Sequence, residues 1–347
     1  MVQYLNPSSE AGVEATTGIQ GDATTGLQYS FNTASLTPNL AICYQHPSAA
    51  TNCEDEVVWD GGGVDNNWST AANWIGDQLP TSTDTVVFNS TSAKDALVDG
   101  AFAGTVAGLV VQPTYTGTIT QASPLTISGD YHHRGGTMIV SEVTPLTVGN
   151  ALTHTGGTLQ QTRVVNNTYA LFLQINDGAV ANRYRGVELD TTGNGNNLGA
   201  VTVRIRRVDG LSSFCTQDGA GSPAYALRCF EITPTNNLAA DSVRLWVHTS
   251  EQNGIVEANL RPYRNPDADA VWTLMSATGT GNDGGAFVYT QAPTPGFSHF
   301  LVGDSNAPTA VSLSQLATPS ATPFLIIGST FLLGLLTSLR WLAIRRP

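Results

Sequence analysis

Between residues 109 and 161, apolar residues come in short bursts separated by Thr, Ser, His and glycine turns. The run Leu125-Thr-Ile-Ser-Gly-Asp-Tyr-His-His-Arg-Gly-Gly-Thr137 aligns with Leu146-Thr-Val-Gly-Asn-Ala-Leu-Thr-His-Thr-Gly-Gly-Thr158 at an offset of 21 residues. Pro124 falls on Pro145, His133 on His154, and Gly135-Gly136 on Gly156-Gly157. A weaker forerunner begins at Leu109-Val-Val and continues to Tyr115-Thr-Gly-Thr-Ile. A fixed period of this length, built of short strands and Gly-Gly turns, predicts a β-solenoid. About three coils of ~21 residues are expected, each burying its apolar face against the next.

Residues 166–304 show no repeat. Strand-like runs lie at 169–175, 184–189, 201–208, 226–234, 242–248, 256–260, 272–275, 287–290 and 297–302. Val201-Thr-Val-Arg-Ile-Arg-Arg alternates apolar and polar residues, as a half-buried strand does. Many such runs between Gly/Asn/Asp turns predict an antiparallel β-sandwich. The expected fold is therefore all-β, a short solenoid over 57–165 followed by a sandwich over 166–304.

The ends differ in pattern. Residues 1–56 are polar, with short strands expected at 26–31 and 41–44, and read either as the end of an upstream module or as a disordered segment. Met1 is followed by neither a basic nor an apolar leader, so the true start is expected upstream. Residues 305–322 form a Ser/Thr/Pro linker, extended and flexible by composition. Residues 323–339 then carry no charge, and about 20 apolar residues cross a bilayer core. The expected transmembrane helix, 323–342, includes Phe324, Leu325, Ile326, Ile327, Phe331, Leu332, Leu333, Leu335, Leu336, Leu339 and Arg340. A basic tail at 343–347 holds Arg345 and Arg346. With no Lys or Arg between Arg264 and Arg340, the charge rule puts the tail in the cytoplasm and the bulk outside.

Composition sharpens this picture. The net charge is −12, and such a surface repels phosphate backbones, so nucleic acid is not an expected partner. Charged residues are 12% of the chain, against ~25% in an average domain. The four cysteines fall as two local pairs, Cys43 with Cys53 and Cys215 with Cys229, each a candidate disulfide in an oxidising compartment. Neither pair has the Cys-x-x-Cys spacing of zinc or redox sites.

Upstream of the repeat stands Trp59-Asp-Gly-Gly-Gly-Val-Asp-Asn-Asn-Trp-Ser-Thr-Ala-Ala-Asn-Trp74, continuing to Pro80 and Asp84-Thr-Val-Val-Phe88. Its three indoles and tight turns read as a cap over the open end of the β-structure. This segment resembles the opening module of bacterial surface proteins, where it precedes autotransporter-associated-like β-strand repeats. The resemblance covers roughly residues 58–165. The tail resembles C-terminal sorting signals of the PEP-CTERM type, but no Pro-Glu-Pro precedes the helix, only Ala317-Thr-Pro-Ser-Ala-Thr-Pro323. A permanent anchor is therefore the simpler expectation. The resemblance implies a cell-surface or adhesin-like protein and implies no reaction.

Candidate chemistry is sparse. His133 and His154 occupy equivalent repeat positions, with His132 beside them; two imidazoles can share a metal, but a polar ladder on the solenoid surface is the simpler expectation. Asp60 and Asp65, with Asn66 and Asn67, offer oxygen ligands to Ca²⁺ without EF-hand spacing. Gly279-Thr-Gly-Asn-Asp-Gly-Gly has the look of a calcium repeat but occurs once. Trp59, Trp68 and Trp74 are either cap packing or a sugar-stacking platform. Asp130 and Glu142 are the only acids of the coils, too few for a lyase-like face. No catalytic residue and no cofactor are expected. The expected function is a non-catalytic, membrane-anchored structural or adhesin-like surface protein. Its partners are the lipid bilayer and surface glycans or proteins. The alternative is a carbohydrate-binding module or a polysaccharide-active solenoid enzyme.

Overall fold

The computed structural model describes residues 2–5, 41–44, 56–176, 183–207, 225–266 and 272–305. Strands β1 (Val2–Leu5) and β2 (Ala41–Tyr44) form an antiparallel pair. The expected strand at 26–31, the linker, and the proposed membrane helix with its arginines lie outside the described residues. Among the described residues no helix is long and apolar enough to cross a membrane.

A β-solenoid of about four turns follows. Strand β3 (Glu56–Val58) leads into a first coil of β4 (Thr85–Phe88), β5 (Ala96–Val98) and β6 (Thr105–Val106). The second coil is β7 (Gly108–Val111), β8 (Thr118–Gln121) and β9 (Leu125–Ile127). The third is β10 (Tyr131–His133), β11 (Thr137–Val140) and β12 (Leu146–Val148). The fourth consists of β13 (Leu152–His154) and β14 (Thr158–Asn166). Equivalent strands pair in parallel from coil to coil, giving three faces. The 21-residue offset holds between the last coils, where Leu125 pairs with Leu146 and His133 with His154. Earlier coils depart from it, since Thr118 pairs with Thr137 and Ala96 with Ile119. That drift is why the sequence pattern revealed only about three coils.

The chain then turns antiparallel. The remaining strands are β15 (Tyr169–Phe172), β16 (Val187–Asp190), β17 (Asn197–Arg207), β18 (Tyr225–Pro234) and β19 (Ala240–His248). After them come β20 (Leu260–Asn265), β21 (Thr273–Leu274), β22 (Gly279–Asn282), β23 (Phe287–Thr294) and β24 (His299–Asp304). They fall into two sheets. One has the order β15-β16-β19-β23-β22. The other is not separate from the solenoid. Strand β14 pairs parallel with β11 and antiparallel with β17, so one nine-stranded sheet runs β21-β20-β24-β18-β17-β14-β11-β8-β5. The boundary expected near residue 165 thus falls at the end of a strand that both regions share. One apolar cluster extends from Trp59 through Leu125 and Ile205 to Val302, and a second, smaller one gathers Tyr225, Cys229, Tyr263, Trp272 and Leu301. The run expected as a strand at 256–260 is instead a short 3-10 turn, Glu257–Asn259, with β20 beginning at Leu260.

Residues 59–74 close the first coil. Trp59 bridges Trp74, and the backbone at Asn67 pairs in parallel with Leu97 of β5. The Trp68 N–H donates to the Leu97 carbonyl at 2.9 Å. The cap therefore satisfies strand-edge groups that would otherwise stand open.

Candidate functional site

The described clusters of polar side chains are mostly buried. Alternation along β10 turns Tyr131 and His133 inward and His132 outward. His133 and His154 are 0% and 5% exposed, with ring centroids 5.3 Å apart. The expectation of a surface ladder is corrected here: the imidazoles sit in the core, because they stand in register with Val111, a buried residue of the coil interior. Tyr131 Oη lies 2.9 Å from His133 Nδ1, and Tyr184 Oη lies 3.0 Å from His154 Nδ1. Burial pushes His133 down to about 3. Burial, then His133, Arg228 and Arg207, hold His154 well below the usual imidazole range. Both rings are therefore neutral.

The polar chain continues beyond the solenoid. The Arg228 guanidinium lies over Tyr184, 4.8 Å from its ring centre, and over Phe287 at 5.4 Å. It is 1% exposed and donates to the carbonyls of Arg185 and Trp246 at 2.7 and 2.9 Å. Its Nη2 donates to Glu251 Oε1 at 3.0 Å, and Arg207 Nη1 reaches the same carboxylate at 3.1 Å. Such a buried pair depends on full hydrogen bonding to offset its desolvation. The sequence offered one signal for it. Arg228 occupies an inward register of β18, in line with Ala226, Phe230 and Ile232. A charge in an apolar alternation calls for a partner, but nothing local identified Glu251.

The cap residues have structural tasks. Trp59, Trp68 and Trp74 are wholly buried, with edge-to-face contacts of 5.0 Å for Trp59–Trp74 and 5.4 Å for Trp68–Trp74. Buried rings cannot stack on a sugar, so the indoles are the cap's core and not a sugar platform. Asp65 accepts from the Asn67 N–H, the Thr70 hydroxyl and the Asn73 carboxamide. The Thr70 hydroxyl first, then the Asn67 N–H, hold its carboxyl below the usual range. Asp60 accepts from the Gly62 N–H at 2.9 Å. The glycine loop already surrounds a cation. Lys94 Nζ donates to the carbonyls of Gly61 and Gly63 at 3.0 and 2.6 Å and to Asn73 Oδ1 at 3.2 Å.

Other candidates are likewise engaged. Asp283, in the glycine-rich turn after β22, pairs with Arg183 at 3.4 Å and Arg185 at 3.7 Å. Glu188 accepts from Trp246 Nε1 at 2.9 Å and from Arg244 at 2.7 Å, with Tyr169 Oη also donating to it. Asp130 accepts from the Ala151 N–H at 3.1 Å. Cys229 is buried on β18, while Cys53 and Cys215 lie outside the described residues; Cys43 falls in β2. Among the described residues no three His, Cys, Asp or Glu side chains converge as a metal set.

Comparisons with protein-family models, curated proteins and solved structures give no match. The functional reading therefore rests on the residues themselves. A cleft of about 570 Å³ opens beside β12, lined among others by Glu142, Thr144, Leu146, Arg163, Gln174 and Asn176, and another of about 520 Å³ lies beside Arg261 and Leu274.

Proposed function

We propose that this chain is a non-catalytic structural or adhesin-like protein of a bacterial surface. Residues 323–342 hold it in the membrane, the β-rich bulk lies outside, and Arg345 and Arg346 lie in the cytoplasm. The observation that carries the reading is the continuous sheet from β5 to β21, with an apolar cluster that runs from the cap to Val302 packed against it. A scaffold of this kind passes load along backbone ladders from the cap to the last strand, which suits a body displayed on a stalk. The engagement of the titratable groups supports the same reading. Arg228, Glu251, Asp283 and the paired imidazoles are held by each other or by backbone, not presented to a substrate. Cys215 with Cys229, and Cys43 with Cys53, are disulfides in that compartment.

Protease added to intact cells tests the topology. The β-rich bulk is expected to be clipped without lysis. Protection in intact cells, with digestion only after lysis, would overturn the proposal.

A further inference from the structure

The three solenoid faces end differently. The face of β5, β8, β11 and β14 continues into β17, whereas among the described residues the face of β6, β9 and β12 ends at β12. Among the described residues β12 pairs only with β9. In a parallel ladder the N–H and C=O of one residue point to the same side, and sides alternate along the strand. The Leu125 N–H donates to the Pro145 carbonyl at 3.1 Å and the Gly149 N–H to the Ile127 carbonyl at 2.7 Å. Residues 145, 147 and 149 therefore face β9, and Leu146 and Val148 face the opposite edge, where no strand pairs among the described residues.

Val148 is already matched there. Asn176, in the left-handed region at φ 55°, accepts the Val148 N–H on Oδ1 at 3.1 Å and donates Nδ2–H to the Val148 carbonyl. A carboxamide carries the donor and acceptor of a peptide unit, so Asn176 does for Val148 what a neighbouring strand would do. Leu146, one step along the same edge, lines the cleft of about 570 Å³. Two buried polar atoms in that lining, Thr144 Oγ1 and Gln174 Nε2, have no hydrogen-bond partner. The partly exposed pair Arg163–Glu142, 3.4 Å apart, contributes both signs of charge.

We propose that this edge receives an extended peptide segment of a partner protein, which adds as a parallel strand beside β12. Leu146 supplies the ladder partners, and Thr144 and Gln174 meet polar groups of the incoming segment. Main-chain addition of this kind takes its affinity from the ladder and its specificity from alternate side chains. The pattern of β9 and β12, apolar inward and Thr outward, defines the segment that fits. The peptide is favoured over a sugar because no aromatic ring lines the cleft and because a carboxamide already satisfies half of the edge. The proposal names a partner class for the adhesin-like reading, but its test does not depend on which side of a membrane the bulk occupies.

The test uses the full chain in detergent micelles and the blocked peptide acetyl-Ser-Pro-Leu-Thr-Ile-Ser-amide, the sequence of residues 123–128. Binding is expected to slow hydrogen exchange at the Leu146 amide. A control peptide with Pro in place of Thr lacks the central N–H and should bind about tenfold more weakly, as loss of a ladder bond implies. Asn176→Ala frees Val148 and should tighten the first peptide by about tenfold. Equal affinity for the two peptides on the unmodified chain, or unchanged exchange at Leu146, would overturn the proposal even if the variant misfolds. Binding of a neutral glucan hexasaccharide in the cleft, with no peptide binding, would overturn it equally.

Discussion

An imidazole in an apolar interior stays neutral unless a carboxylate stands beside it. His133 and His154 have tyrosine hydroxyls, each other, and the cations Arg228 and Arg207 as neighbours, while Glu251 is occupied by those arginines. Their folded values lie below the ordinary ~6.5 of an unfolded chain, so below that pH the unfolded chain binds protons that the folded one does not. Stability is therefore intact above about pH 6.5 and falls as pH drops toward the folded values, by about 1.4 kcal/mol per unit for each ring. Between pH 7.5 and 5.0 the native chain should lose roughly 4 kcal/mol more than a His133→Leu, His154→Leu double variant. Urea titrations at the two pH values measure this, and equal losses would remove the imidazoles from the account. At this scale the sequence revealed the pairing of the two histidines but not their burial. The repeat gave register, and the alternation of Tyr131, His132 and His133 was the unused clue. Tyr184, Arg228 and Glu251 come from an isolated bridge, a strand and a 3-10 turn far apart in the chain, and no local pattern joins them.

Among elements, the solenoid turns were the most legible. The Gly-Gly pairs mark places where the chain folds against the coil below. Gly157 has φ 71°, and a Cβ there would stand 2.5 Å from the Gly135 carbonyl oxygen. Gly195 has nearly the same φ, 70°, but open space around it. Gly157→Ala should therefore cost clearly more than Gly195→Ala. The second pays only the left-handed penalty of about 1–2 kcal/mol, and the first adds a backbone collision. Thermal midpoints of the two variants check the order, and equal midpoints would refute it. Strands with clean alternation, such as β17, were also readable. The run at 256–260 was not, because Ile255 and Leu260 are buried from opposite ends of a 3-10 turn and so imitate a strand. Strand β22 was hidden in a glycine-rich stretch whose backbone pairs with β23 without apolar side chains of its own.

At the scale of the whole molecule, sequence periodicity suggested two bodies joined in series. The repeat stops near residue 158, and that break in pattern is real. The backbone does not stop there, because β14 serves the parallel ladder on one side and the antiparallel ladder on the other. Such continuity cannot be read from periodicity, which reports neighbours along the chain and not across a sheet. Solenoid arrays whose coils touch only their neighbours can unravel stepwise. Here the shared sheet and core should give one cooperative transition. Far-ultraviolet circular dichroism and tryptophan fluorescence should therefore melt together. Trp59, Trp68 and Trp74 report the cap, and Trp246 and Trp272 the far sheets. Two separated transitions would show that β14 is a seam.

The lysine held by the glycine loop has a consequence for the setting in which this chain can work. Many exposed turns rich in Asp and Asn borrow their positive charge from dissolved calcium, and slacken when it is scarce. Here the charge is tethered to the polypeptide by a hydrocarbon arm, and its carbonyl collar comes from Gly61, Gly63 and the Asn73 amide. Dilution cannot wash it away and chelators cannot strip it, so the mouth of the first coil keeps its shape from soft water to brine.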